Sequence, residues 1–139
     1  MSGADRTQTL SSAATSEPLA LRLAALADSK LAEDIVVLDM RELVSYTDFL
    51  VICTARNERQ LNSVVDEVRL RLKGEEGLIP GQTEGGGGAG WAVLDYLDCV
   101  LHVFTPDARK RYDLEELWRD AARVEVPEAA EDTQRSATA

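Results

Sequence analysis

The feature that most constrains this fold is a pair of largely apolar segments separated by only two residues. Residues 91–96 read Trp-Ala-Val-Leu-Asp-Tyr and residues 99–104 read Cys-Val-Leu-His-Val-Phe, with Leu97 and Asp98 between them. A connection this short leaves no room for a crossover, so the two segments must form an antiparallel β-hairpin. The two-residue loop also predicts the register: Trp91 opposite Phe104, Val93 opposite His102, Asp95 opposite Val100 and Tyr96 opposite Cys99.

Side chains alternate along a strand, so this register assigns each hairpin residue to one of two faces. One face is almost wholly apolar and is predicted to lie on the core: Ala92, Leu94, Tyr96, Cys99, Leu101 and Val103. The other mixes large apolar groups with one acid and one imidazole: Trp91, Val93, Asp95, Val100, His102 and Phe104. Two interpretations of this second face stay open. Either a helix covers it, or part of it is a docking surface with an aromatic anchor and a polar rim.

The residues before the hairpin predict two helices and two buried strands. Leucines at helical spacing after Pro18 predict a helix from about Pro18 to Ala32. Two β-branched runs, Ile35–Met40 and Asp48–Thr54, are too short for helices and dense enough for buried strands. Asn57 is a good N-cap for an amphipathic helix whose apolar face is formed by Leu61, Val64, Val65, Val68 and Leu72.

After the hairpin, Thr105 and Pro106 predict a short helical turn. Asp113 and Glu116 then have the spacing of a capping box, which predicts a last short helix. The predicted order is α-β-β-α-β-β-α. This is an α/β fold class with a single mixed sheet and flanking helices.

Three segments are predicted to lie outside this framework. Residues 1–17 and residues 127–139 have almost nothing to bury and are predicted to be disordered tails, which leaves one domain over residues 18–126. Residues 74–90 carry the run Gly85 to Gly88 and have neither periodicity nor side chains to fold alone. The sequence predicts a flexible connector there.

The charge balance constrains the class of partner. With 25 acidic and 15 basic side chains the formal net charge is −10, which argues against a duplex nucleic-acid binder because such proteins need clustered cations. An acidic domain suits a basic protein partner. No apolar run approaches the roughly 18 residues of a membrane span, and the N-terminal segment lacks the features of a signal or transit peptide. The predicted compartment is the cytoplasm.

No group of residues in the sequence is a candidate for catalytic or metal chemistry. Cys99 and His102 are three apart in a strand, so they point to opposite faces and cannot pair locally as nucleophile and base. Asp98 occupies a turn position where aspartate is common, which explains it without a metal. The run Gly85 to Gly88 lacks the following Lys-Ser or Lys-Thr of a phosphate-binding loop. We predict no catalytic residue, no metal site and no cofactor.

Several blocks of the chain resemble the ribosomal silencing factor family, also called Iojap-related proteins. They are the run from Trp91 to Phe104, the run from Tyr112 to Trp118, and the earlier strings Leu38-Asp39, Thr47-Asp48-Phe49 and Asn57-Glu58-Arg59-Gln60. The resemblance covers about Leu19 to Asp120, with these blocks in the family's order. It implies a domain similar to the nucleotidyltransferase fold but without that superfamily's catalytic Gly-Ser and paired-Asp motif, which this sequence also lacks.

The resemblance also implies a function and a contact surface. The family binds the large ribosomal subunit at its fourteenth protein and blocks joining of the small subunit, which lowers translation when nutrients are scarce. In this chain the partner-binding residues would be Trp91, Val93, Asp95, Tyr96, Asp98 and His102. Leu97 stands where the family usually has glycine, which predicts a different or longer turn.

Two alternatives from other classes remain at this stage. A diverged nucleotidyltransferase-like enzyme would bind nucleotide and Mg²⁺, which titration calorimetry would detect. A homo-oligomeric module would use the Trp91 face on a second copy, which sedimentation would detect. The sequence does not decide between monomer and homodimer.

Overall fold

One six-stranded mixed sheet organises the chain, with strand order β3-β4-β5-β2-β1-β6. The computed structural model describes residues 2–85 and 90–126, and the side chains of residues 16–81 and 90–126. In chain order the elements are α1 (Ser2–Ser29), β1 (Glu33–Asp39), β2 (Phe49–Thr54), α2 (Glu58–Glu76), β3 (Gln82–Gly85), β4 (Trp91–Asp95), β5 (Cys99–Phe104), α3 (Pro106–Tyr112), α4 (Leu114–Leu117) and β6 (Ala122–Val124). The predicted α/β class with a single mixed sheet is confirmed.

The predicted hairpin is present with its predicted register. β4 and β5 are antiparallel, with Trp91 opposite Phe104 and Asp95 opposite Val100. β5 in turn runs parallel to β2, so the hairpin is joined to the centre of the sheet. Leu97 does not lengthen the turn, and it adopts a positive φ of 72° itself. The expectation of a different or longer loop at this position was wrong as to length.

Helix α2 matches its sequence pattern closely. The side chain of Asn57 accepts a hydrogen bond from the backbone N–H of Gln60, and the five predicted apolar residues are the buried ones. The helix continues through Gly74, which the sequence assigned to the connector. It ends at Glu76 and is capped by Gly77, whose φ is +67°. Backbone bonds from Gly77 to Lys73 O and from Leu78 to Leu72 O close the last turn.

Other boundaries differ from the prediction. Helix α1 begins at Ser2 and has Pro18 in its interior, although proline favours a helix start and within a helix removes one N–H donor and crowds the preceding turn. It ends at Ser29, and Leu31 beyond it has a positive φ of 67°. The limits of the folded domain at residues 18 and 126 stay predictions. The predicted tail at residues 127–139 lies outside the described residues.

Two short strands, β3 and β6, were not predicted. β3 lies in the glycine-rich segment and pairs with β4, whereas β6 pairs with β1. Both segments are ordered by backbone hydrogen bonds to a neighbouring strand, and such bonds do not require particular side chains. The sequence of these segments therefore shows no periodic pattern. Residues 86–89, which contain three of the four glycines of the run Gly85 to Gly88, lie outside the described residues. Asp113 precedes α4, but its side chain makes no capping bond, so the predicted capping box does not form.

The sheet buries apolar side chains on both faces. Helices α1 and α2 cover one face, where Phe49, Val51, Leu94 and Leu101 are fully buried in one cluster. The six residues predicted for the core face of the hairpin all belong to that cluster. A smaller cluster on the other face joins Leu50, Ile52 and Phe104 to Ala108 of α3. The second face is therefore only partly covered, by short elements.

Candidate functional site

Four aromatic rings meet on the second face of the hairpin, where strand β4 begins. The ring centroid of Trp91 lies 5.8 Å from that of Phe104, 6.0 Å from that of His102 and 4.7 Å from that of Tyr112. We call these four residues the aromatic cluster. Strand pairing explains most of it, because Trp91 lies opposite Phe104 and diagonal to His102.

The aromatic cluster runs from the core to the surface. Phe104 is only 1 % exposed, Trp91 and His102 are half-buried, and Tyr112 is 42 % exposed. Helix α3 covers the Phe104 side through Ala108. A helix covers one end of the second face, and the indole of Trp91 remains partly accessible at the other. The interpretation of this face as a docking surface stays a prediction.

A hydrogen bond fixes the indole in the aromatic cluster. Trp91 Nε1–H donates to His102 Nδ1 at 3.1 Å, so the single proton of the neutral imidazole is on Nε2. Burial lowers the pKa of His102 to about 4, although Asp95 opposes this shift. The imidazole is therefore neutral near pH 7 and serves as an acceptor that orients Trp91.

This pKa predicts an acid-sensitive contribution of His102 to stability. The imidazole has an ordinary pKa of 6.5, which the fold lowers to about 4, so between these values the unfolded chain binds more protons and stability falls as pH falls. We expect His102→Gln, which keeps an acceptor for the indole, to flatten the free energy of unfolding across that window. Denaturant titrations of both proteins at several pH values measure it. If the free energy of unfolding depends on pH equally in the two proteins, the lowered pKa of His102 is contradicted.

Gly90 shapes the approach of the chain to Trp91. Its φ is +76°, and a Cβ there would lie 2.8 Å from Thr105 Oγ1. The backbone oxygen of Gly90 accepts from the N–H of Thr105 at 2.9 Å, which ties strand β4 to the start of α3. A close contact and a left-handed backbone therefore both require glycine at this position.

We expect Gly90→Ala to lower the free energy of unfolding by about 1–3 kcal/mol. The matched control is Gly74→Ala inside α2, where a Cβ would meet no atom within 4 Å and φ is not in the positive range. Alanine is the better helix former, so this control is expected to stabilise by about 0.5–1 kcal/mol. Thermal or urea unfolding measures both, and similar changes in the two variants would refute the argument.

Two carboxylates flank the turn at the other end of the hairpin. Asp95 Oδ1 accepts from the backbone N–H of Leu97 at 2.8 Å, and Asp95 and Asp98 are both half-buried. The backbone oxygen of Asp98 accepts from Asp48 N at 2.8 Å and from Thr47 Oγ1 at 3.0 Å. The turn is thus attached to the loop that precedes β2.

The structure does not bring all six predicted site residues to one surface. Trp91, Asp95 and His102 share the second face and keep exposed area, whereas Val93 lies beneath them at 9 % exposure. Tyr96 points to the opposite face, inside the core cluster, at 7 % exposure. Within the described part of the chain its hydroxyl has no hydrogen-bond partner, and burial raises its pKa to about 12.

Sequence reasoning missed Tyr112 as a member of the site. Its ring has the shortest centroid distance to Trp91 of the three neighbours, but it comes from the end of α3. No local periodicity connects that position to β4. The arrangement depends on how α3 packs back on the sheet.

Within the described residues, no helix combines the length and apolarity that a bilayer crossing requires. The two cysteines are buried, and burial raises the pKa of both thiols to about 12. They behave as small apolar core residues and not as nucleophiles.

The fold and this site define a small α/β domain with helices on one side of a mixed sheet and a partly covered aromatic face on the other. Comparison with known proteins identifies the family. The sequence model described as "Ribosomal silencing factor during starvation" matches residues 13–139. The chain belongs to the ribosomal silencing factor family, as its motifs predicted.

Individual relatives agree with that assignment. The chain is 38 % identical over 107 residues to ribosomal silencing factor RsfS of Bacillus subtilis, covering 76 % of this chain and 90 % of that protein. It is 38 % identical over 99 residues to RsfS of Halalkalibacterium halodurans, covering 71 % and 84 %. A crystal structure of a Chromobacterium violaceum protein superposes with a TM-score of 0.67 at 30 % identity, covering 73 % of this chain and 84 % of that one.

Proposed function

We propose that this protein binds the large ribosomal subunit through its fourteenth protein and sterically blocks joining of the small subunit. It thereby represses translation under nutrient limitation, in the cytoplasm. Membership of the ribosomal silencing factor family supports the proposal. The structural observation that supports a particular contact residue is Trp91, which is rigidly held and partly accessible on the surface of an acidic domain.

Trp91 has the properties of an interface anchor. Its indole is stacked on neighbouring rings and hydrogen-bonded to His102 before any partner arrives, so binding costs little side-chain entropy. Tryptophan is among the residues enriched at the energetic centre of interfaces. In this proposal Phe104 supports the ring from the core side, and Tyr112 extends the apolar area outward.

The carboxylates supply charge complementarity. Asp95 and Asp98 lie at the far end of the same hairpin, and the whole chain carries a net charge of −10. A basic ribosomal protein would be steered toward such a surface and oriented by it. Long-range attraction of this kind weakens with salt, so association should slow as ionic strength rises.

The remaining predicted residues act from within the domain. Val93 packs beneath the exposed face, and His102 positions Trp91 through its Nδ1 acceptor. Tyr96 lies behind the sheet, and its N–H donates to Cys99 O at 2.9 Å, which closes the hairpin. We therefore propose that Trp91, Asp95 and Asp98 touch the partner, and that the other three hold them in place.

This mechanism needs no chemical step. A protein that occupies the face where two subunits meet prevents their association for as long as it remains bound. Affinity and position determine the effect, and neither requires a nucleophile, a general base or a metal. We propose that the protein is not an enzyme.

The test is subunit joining in a purified system, followed by light scattering and by sucrose-gradient sedimentation. Added protein should co-sediment with the large subunit and not with the small one. It should also lower the yield of joined ribosomes when added before joining. Unaltered joining in the presence of excess folded protein would remove the proposal.

A further inference from the structure

The tip of the β4–β5 hairpin presents a large apolar side chain to solvent. Leu97 is 72 % exposed, the largest value among the described large hydrophobic residues that are exposed. Its φ is +72°, and the N–H of Asp98 donates to Tyr96 O at 2.9 Å. A bond between residues i and i+2 around a positive φ defines a γ-turn of the rarer, strained form.

This backbone favours glycine and not leucine. A Cβ at positive φ crowds the neighbouring carbonyl, and a branched side chain gains nothing from solvent exposure. Glycine would satisfy the same backbone hydrogen bonds without strain. The fold therefore gives no reason for leucine at this position. Leu31 shares a positive φ and high exposure, so a role for Leu97 depends on the groups that surround it.

The tip is held rigidly. Asp95 Oδ1 accepts from Leu97 N, and the N–H of Tyr96 donates to Cys99 O. The backbone oxygen of Asp98 accepts from Asp48 N, Phe49 N and Thr47 Oγ1. Thr47 itself is only 3 % exposed. Bonds on both sides of Leu97 thus fix where its side chain can project.

A second exposed ring belongs to the loop bonded to this tip. Tyr46 is 65 % exposed and immediately precedes Thr47, whose hydroxyl reaches the tip. Three acidic residues lie in the same two segments: Asp48, Asp95 and Asp98. Apolar groups beside three carboxylates suit a basic protein surface with its own apolar area. One cation, Arg41, also lies near Asp48 and is paired with Asp39.

We propose that Leu97, together with Tyr46, is a second apolar anchor for the same basic ribosomal protein that Trp91 contacts. This inference rests on the proposed function. The two anchors lie at opposite ends of one hairpin, and Asp95 connects them because it shares the face of Trp91 and accepts the N–H of Leu97. The protein that binds this surface is thus the ribosomal protein already proposed, and it would contact both ends of the hairpin.

The experiment compares three substitutions at one position. Leu97→Gly removes the side chain and the strain, Leu97→Ala removes the isobutyl group but keeps a Cβ, and Leu97→Met keeps apolar bulk. Affinity for purified large subunits is measured for each, together with the melting temperature. We expect Leu97→Gly and Leu97→Ala to bind about tenfold more weakly and Leu97→Met to bind as the parent does. Leu97→Gly should melt no lower than the parent, because strain relief offsets the added backbone freedom.

Leu31→Gly is the matched control. Leu31 also has a positive φ, of 67°, and is 62 % exposed. It lies on the α1–α2 side, where Gln60 Nε2 donates to its backbone oxygen at 2.9 Å. This variant should keep the parent's affinity.

The outcomes separate this inference from the proposed function. If the parent protein does not bind large subunits, the proposed function and the inference about Leu97 are both wrong. If the parent binds and the Leu97→Gly and Leu97→Ala variants bind equally well, Leu97 is not an anchor and only the present inference falls. Equal weakening by Leu31→Gly would also overturn it, because the loss would then follow from the leucine-to-glycine change itself.

Discussion

Replacing Trp91 with alanine is expected to weaken binding to the large ribosomal subunit by about 2–4 kcal/mol. That change corresponds to a loss of roughly 30- to 1,000-fold in affinity. The reason is that the indole is the largest preordered apolar group on the proposed face and remains partly accessible. Equilibrium co-sedimentation or biolayer interferometry with purified subunits measures the loss.

Controls must separate lost contact from lost folding. Trp91→Ala also leaves His102 Nδ1 without its donor, so some loss of stability is expected. Trp91→Phe loses the same N–H but keeps an aromatic ring, and it should retain much more affinity than the alanine variant. Leu70→Ala, at a site 69 % exposed on α2, should bind as the parent does. A folded Trp91→Ala protein with full affinity would show that another face docks.

Phe49→Ala is expected to cost about 3–5 kcal/mol of the free energy of unfolding. Phe49 is 0 % exposed and begins β2, the strand between β1 and β5. The guanidinium of Arg41 also lies over its ring, 5.1 Å from the centroid. Alanine would leave a cavity and remove this cation–π contact. Denaturant unfolding monitored by circular dichroism measures the change.

Two further variants calibrate that result. Phe49→Leu fills more of the cavity and is expected to cost less than half as much as alanine. Ile79→Ala removes a side chain that is 67 % exposed, so its effect should stay within about 0.5 kcal/mol. A small loss for Phe49→Ala, similar to that of Ile79→Ala, would contradict the packing described for this face of the sheet.

Much of the fold could be predicted because its central parts are determined locally. The two-residue spacing between the hairpin strands determined their pairing, and the apolar period after Asn57 determined which face of α2 is buried. β3 and β6 could not be predicted, because each is ordered by backbone bonds from a neighbouring strand. The start of α1 was misplaced because Pro18 is a frequent first residue of helices and here lies inside one.

The candidate site was predictable in part. Alternation placed Trp91, Asp95 and His102 on one face and Tyr96 on the other, as the structure has them. The accessibility of that face depends on where α3 lies, and no pattern within the hairpin encodes this. The place of Tyr112 in the aromatic cluster could not be predicted for the same reason.

The central claim is that the protein acts by occupying a surface and not by modifying it. The most direct test measures subunit joining while the protein is titrated against a large molar excess of large subunits. Occupancy predicts that the blocked fraction never exceeds the molar ratio of protein to large subunit, and that removing the protein restores joining. A blocked fraction that keeps growing with time beyond that ratio, and that persists after removal, would reveal a catalysed modification and contradict the account.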